Sequence, residues 1–361
     1  MTSTPADLES YLAAVQKKVG AALRASLLSR RATLGDINPY MTDQLLNALI
    51  QFCTGGKMLR AVLVDLGYQI TGGKEHDQAL LPIQASVELI HASLLIHDDI
   101  IDRSEKRREK DTMHRVFAST HRENGYRGNS DNYGQSIAML TGDVALCLAF
   151  YFALGSQFDT DRKLTAISHF VENLIKTGLG QAMDLSLTVR AEVDRSEIRT
   201  MTLYKTAFYT VVAPLQLGGL LGGAGEQTRT LFEGFGRPLG EAYQLQDDIL
   251  GVFGEEEEIG KSTLSDLKEG KRTLLFQHGL ELSSGKDKEH LLNNLGNPAA
   301  NGEDLRRVRR TLENCGARRI VQEECERLKE IAKDIIPALT TDPRVSSLLD
   351  QLCDYIVRRN D

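Results

Sequence analysis

The sequence predicts an all-α protein, built as a single large helical bundle. Apolar residues recur at three- and four-residue spacing along most of the chain, which is the pattern of one helix face. The sequence contains neither a run of short alternating strands nor a βαβ rhythm. Proline, which interrupts helices, accounts for only 8 of the 361 residues. Together these observations favour long helices joined by polar loops.

The individual helices follow from the same spacing. In the stretch 43–52, Leu45, Leu46, Leu49 and Ile50 mark one helix face. Comparable patterns predict helices over 80–101, 136–154, 164–187, 197–221 and 230–252, and over most of 302–359. Clusters of Gly, Asn, Asp and Ser predict loops over 71–76, 122–135, 254–267 and 283–301. Because no repeat or low-complexity linker divides the chain, we expect one domain over residues 1–361.

Charge and cysteine content narrow the function classes. The chain has 43 Lys and Arg against 50 Asp and Glu, a net charge of −7, which argues against general nucleic-acid binding. The five cysteines are scattered without a CxxC pair, and the first ten residues lack the pattern of a signal peptide. We therefore expect reduced thiols and a cytoplasmic protein. The longest uncharged stretch, 207–225, contains Pro214 and five glycines, so no transmembrane segment is expected.

An acidic cluster ends the predicted helix 80–101. Asp98 and Asp102 lie four residues apart on one helix face, and Asp99 adjoins them; we call these three residues the first acidic motif. Carboxylates this close repel one another unless a cation lies between them. Oxygen ligands without cysteine favour Mg²⁺. Taken alone, the cluster also fits a solvated helix end.

A second acidic pair strengthens the metal interpretation. Asp247 and Asp248, the second acidic motif, also end an apolar helical run. Two helices of one bundle can direct carboxylates into a shared pocket. We therefore expect the two motifs to serve one cavity that holds Mg²⁺.

Basic residues in three places are candidates for binding phosphate. Gly55 and Gly56 precede Lys57 and Arg60, which are one helical turn apart, and such a loop before a helix N-terminus suits an anion. A similar stretch at 71–74 lacks the arginine and is interpreted as a turn.

The other two places are less specific on their own. Arg107 and Arg108 follow the first acidic motif closely enough to fold back over a metal-bound anion, although they also fit a solvated charge run. Lys205 lies in an otherwise apolar helix, where it needs either an anionic partner or a path to the surface. Lys261 follows Gly260 as in a P-loop, but the wrong spacing and four preceding glutamates argue against nucleotide binding.

As a set, these motifs resemble the trans-isoprenyl diphosphate synthases, the polyprenyl synthetase family. The likeness runs in order and spacing from about Gly55 to Lys271. Its eight parts are Gly55-Gly-Lys-Met-Leu-Arg60, Glu88-Leu-Ile-His91, Asp98-Asp99-x-x-Asp102, Arg107-Arg108, Gly180-Gln181-x-x-Asp184, Tyr204-Lys205-Thr206-Ala-Phe-Tyr209, Gln244-x-x-Asp247-Asp248, and Gly260-Lys261 with Asp266 to Lys271.

The resemblance implies the isoprenoid synthase fold, a homodimer and an Mg²⁺-dependent condensation of isopentenyl diphosphate with an allylic prenyl diphosphate. It implies that Asp98, Asp102 and Asp247 bind metal, supported by Asp99 and Asp248. The residues implied to contact the allylic diphosphate are Arg107, Lys205 and Lys261. Those implied to bind isopentenyl diphosphate are Lys57, Arg60, His91 and Arg108. Further substrate-binding residues are implied at Gly56, Gln181 with Asp184, Thr206, Gln244 and Lys271.

Product length is predicted from the residues below Asp98 that would form the end, or floor, of the cavity for the growing prenyl chain. In the family an aromatic residue near this place stops elongation early. Here Ser93 is small and Leu94 moderate, so we expect a geranylgeranyl product, although both residues equally fit ordinary core packing.

Two departures from the family pattern stand out. Gly251 occupies a position where many relatives have Asp, which predicts a looser metal grip. The segment Glu109–Thr112 replaces the Gly and Pro often found there, so the loop carrying the two arginines is expected to differ in shape.

Three other classes remain as alternatives. A terpene cyclase would share the fold and the acidic motifs but would not need the Lys57–Arg60 site. A phosphohydrolase based on His91 and His97-Asp98 would leave the second acidic motif unexplained. A non-catalytic partner subunit fits Gly251, but it would be expected to lose the first acidic motif, which is intact.

Overall fold

The all-α prediction is confirmed in the computed structural model, which describes residues 7–254 and 263–358. The helices of the first part are α1 (Leu8–Ser29), α2 (Arg31–Gly35), α3 (Pro39–Cys53), α4 (Leu59–Ile70), a 3₁₀ turn (Gln78–Leu80), α5 (Leu81–Ile101), α6 (Met113–Glu123) and α7 (Ser130–Leu154). Within the described ranges, the strands form one hairpin, in which β1 (Lys106–Arg107) pairs antiparallel with β2 (Lys110–Asp111).

Helices also make up most of the second part of the chain. They are α8 (Thr160–Thr188), α9 (Arg195–Thr202), a π-helix (Leu203–Val212), α10 (Ala213–Leu221), α11 (Glu226–Phe253), α12 (Ser265–Glu269), α13 (Leu274–Leu282), α14 (Gly285–Asn294), α15 (Gly302–Asn314), α16 (Ala317–Leu339) and α17 (Pro343–Arg358).

The structure corrects three of the predicted boundaries. The loop expected over 122–135 ends early, because Asn129 caps α7 by accepting a hydrogen bond from the Asn132 amide at 2.8 Å. The loop expected over 283–301 contains α14. The single helix expected over 197–221 consists of α9, the π-helix and α10 in succession. The loop expected over 254–267 lies partly outside the described residues.

Contacts divide the chain into two compact units. The N-terminal unit comprises Asp7–Ile167 with Leu217–Gly223, and the C-terminal unit comprises Ser168–Gln216 with the described residues from Ala224 onward. In the N-terminal unit, α5 packs against α7 and α1. In the C-terminal unit, α11 packs against the π-helix and α16. Each of these central helices, α5 and α11, ends in one of the two acidic motifs.

Two stretches of the described chain, 78–101 and 130–154, are long and apolar enough to cross a membrane by length and composition. The apolar window of the first is 67% buried inside the protein, as expected of a core helix. The window of the second is only 44% buried, so α7 presents much of its apolar surface outward.

Candidate active site

The first acidic motif lies at the C-terminal end of α5. Asp102 caps the helix, and its amide donates to the Asp98 carbonyl at 2.8 Å. Asp98 and Asp102 are half-buried, whereas Asp99 is 0% exposed. The spacing therefore separates two accessible carboxylates from one that is enclosed by the protein.

Arg107 on β1 holds the buried carboxylate. Its Nε lies 2.9 Å and 3.1 Å from the two Asp99 oxygens, and its Nη2 lies 2.7 Å from Oδ1. Nη2 also approaches Asp98 Oδ2 at 3.9 Å. Burial raises the pKa of Asp99, and the guanidinium of Arg107 counteracts this rise. Arg107 thus fixes the loop after the motif onto the motif itself.

The hairpin that carries Arg107 explains the unusual Glu109–Thr112 segment. Arg108 and Glu109 both have positive φ, 51° and 63°, which closes the two-residue turn between β1 and β2. Thr112 ends the loop, and its Oγ1 donates to the Ser104 carbonyl at 2.8 Å. The loop is therefore ordered by a hairpin without the Gly and Pro of many relatives.

Arg108 reaches from this hairpin to the glycine loop before α4. Its Nη1 donates to the Gly55 carbonyl. Gly56 has φ of 102°, and a Cβ there would lie closer than 3.0 Å to the Arg108 guanidinium. The backbone conformation thus favours glycine at 56, and a side chain there would displace the Arg108 guanidinium.

A group of basic residues follows this loop. Lys57 is exposed just before α4, and Arg60 is buried in its first turn. Glu88 on α5 accepts a hydrogen bond from the Ala61 amide at 2.9 Å. The pKa of His91 is well below its ordinary value, first because the ring is buried and then because Arg60 and the two hairpin arginines surround it. His91 is consequently neutral near pH 7 and can donate a hydrogen bond without adding charge.

The residues expected at the cavity floor lie on α5. Ser93 is 0% exposed, and its Oγ finds no hydrogen-bond partner among the described residues. Leu94 is half-buried. His97 instead meets α7, where its Nε2 lies 3.2 Å from the Met139 carbonyl oxygen and 3.4 Å from Asp143. These contacts give His97 a packing role and weaken the phosphohydrolase interpretation.

In the C-terminal unit, a π-helix presents two further predicted residues, Lys205 and Thr206. Its wider turn is bordered by two glycines, Gly180 on α8 and Gly240 on α11. A Cβ on Gly180 would lie closer than 3.0 Å to the Lys205 backbone, and one on Gly240 would meet Ala207 equally closely. Both helices therefore approach the π-helix at backbone distance. Such segments occur frequently at functional sites.

Lys205 forms an ion pair with Asp184 of α8. Lys271 lies 3.4 Å from the same carboxylate oxygen. Although burial alone raises the pKa of Asp184, the two ammonium groups outweigh it and hold the pKa below its ordinary value. Gln181 lies one helical turn before Asp184 on α8. Of the two alternatives for Lys205, the structure thus shows the anionic partner, Asp184.

Thr206 connects to the second acidic motif through Gln244. Its Oγ1 donates to Gln244 Oε1 at 2.7 Å, and Gln244 Nε2 donates to Asp248 Oδ1 at 2.8 Å. Asp248 is buried, whereas Asp247 is half-buried. Like the first motif, which has two accessible carboxylates, the second motif combines an accessible carboxylate with a buried one that a neighbouring side chain holds.

Gly251 lies one turn after Asp247 and is covered by Asp266. A Cβ at 251 would lie closer than 3.0 Å to Asp266 Oδ2. The carboxylate of Asp266, from α12, therefore occupies the space that a side chain at 251 would fill. Sequence reasoning missed this contact. Lys261 lies outside the described residues.

The donors in both motifs suit a divalent cation. They are carboxylate oxygens without sulfur or histidine, as hard cations prefer. Among the described residues, no three acidic, histidine or cysteine side chains lie together as a group that could hold a metal ion. Mg²⁺ generally takes one or two protein carboxylates and completes its shell with water and phosphate oxygens.

Comparisons with known proteins identify the family of the chain. The family model for polyprenyl synthetase matches residues 42–312. A short chain isoprenyl diphosphate synthase of Methanothermobacter thermautotrophicus is 34% identical over 74% of this chain and 75% of its own length. A geranylfarnesyl diphosphate synthase of Aeropyrum pernix is 31% identical over 90% of this chain and 97% of its own.

A solved structure shows the same fold. The geranylgeranyl pyrophosphate synthase of Corynebacterium glutamicum, complexed with isoprenyl diphosphate and magnesium, superposes with a TM-score of 0.91 at 28% identity. The match covers 98% of this chain and 100% of that one. The chain belongs to the polyprenyl synthetase family, and it is a trans-prenyltransferase with the all-α isoprenoid synthase fold.

Proposed function

We propose that this prenyltransferase condenses isopentenyl diphosphate with an allylic diphosphate, depends on Mg²⁺, and makes geranylgeranyl diphosphate. One observation carries the proposal: in the first acidic motif, half-buried Asp98 and Asp102 adjoin a buried Asp99 that Arg107 holds in place. A mere solvated helix end would not need this support.

The chain's own residues have separate tasks in the reaction. Asp98, Asp102 and Asp247 would hold Mg²⁺, which neutralises charge on the departing diphosphate. Arg107, Lys205 and Lys261 would hold the allylic diphosphate. As its C–O bond breaks, the alkene of isopentenyl diphosphate attacks the allylic carbon, and a proton is then lost to the diphosphate.

Isopentenyl diphosphate would occupy the basic group near the glycine loop. Lys57, Arg60 and Arg108 supply positive charge, and neutral His91 supplies a hydrogen-bond donor. Gly56 leaves the backbone accessible to the anion. The reacting carbons would be lined by Gln181, Thr206 and Gln244, with Lys271 and Asp248 supporting them through the contacts described above.

The geranylgeranyl assignment rests on the small, fully buried Ser93 below Asp98. Curated relatives of similar identity carry the names farnesyl, geranylgeranyl and geranylfarnesyl diphosphate synthase, and the proposed product is one of these three. Magnesium is supported by the donor chemistry and by its presence with the Corynebacterium enzyme.

We further propose that the protein is a cytoplasmic homodimer whose whole chain acts as one catalytic domain. The outer face of α7 supports the dimer, because Leu140, Cys147, Tyr151 and Leu154 lie exposed along one helical stripe. An exposed apolar stripe of this kind is typical of an interface between subunits. A second copy covering it would account for the low burial of this apolar helix.

The test is purified protein with Mg²⁺, isopentenyl diphosphate and, in turn, dimethylallyl, geranyl and farnesyl diphosphate. We expect chain growth to a geranylgeranyl product with all three primers. Diphosphate release without chain growth would indicate a terpene cyclase instead. Lack of turnover in every combination would indicate a non-catalytic partner subunit. Removing Mg²⁺ with a chelator should abolish turnover, and adding it back should restore it.

A further inference from the structure

The second acidic motif lies at an electrostatically unfavourable end of its helix. Asp247 and Asp248 fall within the last two turns of α11, which ends at Phe253, and α11 has no basic residue of its own in its last turn. The C-terminal end of a helix carries partial negative charge and carbonyl groups without helical partners. Two carboxylates nearby add to this negative charge. The end of α11 therefore needs positively charged hydrogen-bond donors from elsewhere in the fold.

Two arginines from neighbouring helices contact this helix end. Arg309 on α15 donates from Nε to the Val252 carbonyl at 2.6 Å and from Nη2 to the Gly254 carbonyl at 3.3 Å. The guanidinium of Arg318, in the first turn of α16, lies 4.2 Å from the centre of the Phe253 ring. Arg309 forms no ion pair with any carboxylate of the described chain. Its described hydrogen bonds therefore all go to the end of α11.

These contacts connect to the acidic motif through the helix backbone. In an α-helix the amide of each residue bonds to the carbonyl four residues earlier. Gly251 and Val252, both within α11, thereby hold the backbones of Asp247 and Asp248. If Val252 left the helix, the backbone of the motif would lose these hydrogen bonds. Arg309 thus acts one turn away from the motif, on the residue that completes its helical hydrogen bonding.

We propose that Arg309 is a positioning residue for the second acidic motif. By holding the last turn of α11, it keeps the Asp247 carboxylate in place for a divalent cation, and Arg318 supports the same turn by packing on Phe253. The metal-binding part rests on the proposed function, whereas the ordering of the turn does not. Charge alone would have the opposite effect, because a nearby positive charge weakens the binding of a cation. Removing Arg309 therefore separates positioning from charge.

Arg310, the next residue on α15, provides a matched control. It is exposed and forms no ion pair or hydrogen bond with another side chain of the described ranges. Arg309→Gln and Arg310→Gln remove the same charge, and only the first releases α11. In the full-length protein without metal or substrate, the amides of 249–254 should exchange hydrogen about tenfold faster in Arg309→Gln. They should keep the wild-type rate in Arg310→Gln, as should the amides of α17 in both variants. Equal exchange of 249–254 in the two variants would overturn the proposal.

Metal binding is measured in the same variants. Calorimetric titration with geranyl diphosphate at increasing Mg²⁺, without isopentenyl diphosphate, gives the Mg²⁺ concentration for half-maximal binding. We expect it to rise about tenfold in Arg309→Gln, to recover in part in Arg309→Lys, and to stay unchanged in Arg310→Gln. The KM for isopentenyl diphosphate should not change, because its proposed site lies at the glycine loop.

An unchanged or lower Mg²⁺ requirement in Arg309→Gln would overturn the positioning role. If wild-type protein failed to bind geranyl diphosphate while the difference in hydrogen exchange remained, the result would instead count against the proposed function.

Discussion

The guanidinium of Arg107 and the carboxylate of Asp99 form a two-point ion pair between the hairpin and the end of α5. Removing one partner of a buried pair leaves the other charge uncompensated. We therefore expect Arg107→Ala to lower the free energy of unfolding by about 3–5 kcal/mol. Urea unfolding of the variant measures this change. The double variant Asp99→Asn/Arg107→Ala should recover part of the loss, because the neutral amide needs no counter-charge.

The same variants separate a structural role of Arg107 from direct substrate binding. Loss of turnover in Arg107→Ala with unchanged stability would mean that the arginine acts on the diphosphate alone. Arg107→Lys should keep the positive charge but lose the two parallel contacts with Asp99, because only a guanidinium presents two donors in one plane.

The ion pairs of Asp184 should make the free energy of unfolding depend on pH in the acid range. Its folded-state pKa lies below the ordinary value, so the stabilisation is complete above the ordinary carboxyl range. It is lost as pH falls below about 3.9 and through the folded pKa. Asp184→Asn should be less stable than wild type at neutral pH and should converge with it in acid. Urea unfolding from pH 7 to pH 2.5 tests this.

A control for Asp184 lies on the same helix. Asp161 is exposed in the first turn of α8, so Asp161→Asn should follow the wild-type curve throughout. Parallel curves for wild type and Asp184→Asn down to the acid limit would contradict the ion-pair account.

Gly251 and Gly234 lie on α11 in opposite surroundings. A Cβ at 251 would collide with Asp266, whereas one at 234 meets only Ile335 Cδ1 at 4.0 Å. Gly234→Ala should stabilise the helix by up to about 1 kcal/mol. Gly251→Ala should displace Asp266 and raise the Mg²⁺ concentration for half-maximal turnover on the order of tenfold. Equal Mg²⁺ dependence in the two variants would show that Asp266 has no part in metal binding.

Ser93 allows a test of the cavity floor. Ser93→Phe should shorten the product, because the ring would stand at the proposed floor for the growing chain. Ser93→Ala should keep the product length and raise the unfolding free energy by about 1 kcal/mol, since it removes a buried hydroxyl without a partner. Product chromatography and urea unfolding measure the two effects. Unchanged product length in Ser93→Phe would exclude this floor.

Local sequence patterns predicted the helices and the motif residues, but not the contacts that join distant residues. The spacing of Asp98 and Asp102 correctly placed both on one helix face. It did not show that Asp99 would be buried against Arg107, because that pairing depends on the two-residue hairpin, and neither turn residue is a glycine. The prediction of weaker metal binding at Gly251 did not take account of Asp266, which lies 15 positions later in the chain and occupies the space beside Gly251.

The partner of Lys205 shows the same limit. The sequence left two alternatives for this lysine in an apolar helix, an anionic partner or a path to the surface, and it did not identify the partner. Asp184 and Lys271 reach it from two other elements. The sequence did contain an indication of this pairing. Gly180 lies one turn before Asp184 and permits α8 to approach the π-helix closely.

The π-helix sets the phase of the residues around it. Hydrogen bonds that span five residues accommodate one more residue than an α-helical turn does. Within this segment the adjacent Lys205 and Thr206 reach different helices, Asp184 on α8 and Gln244 on α11. Deleting one residue of the π-helix after Thr206 would convert the segment to an α-helix. One of these two side chains would then rotate away from its partner. The segment thus behaves as a retained single-residue insertion, and the chain can lose that residue only by losing one of the two contacts.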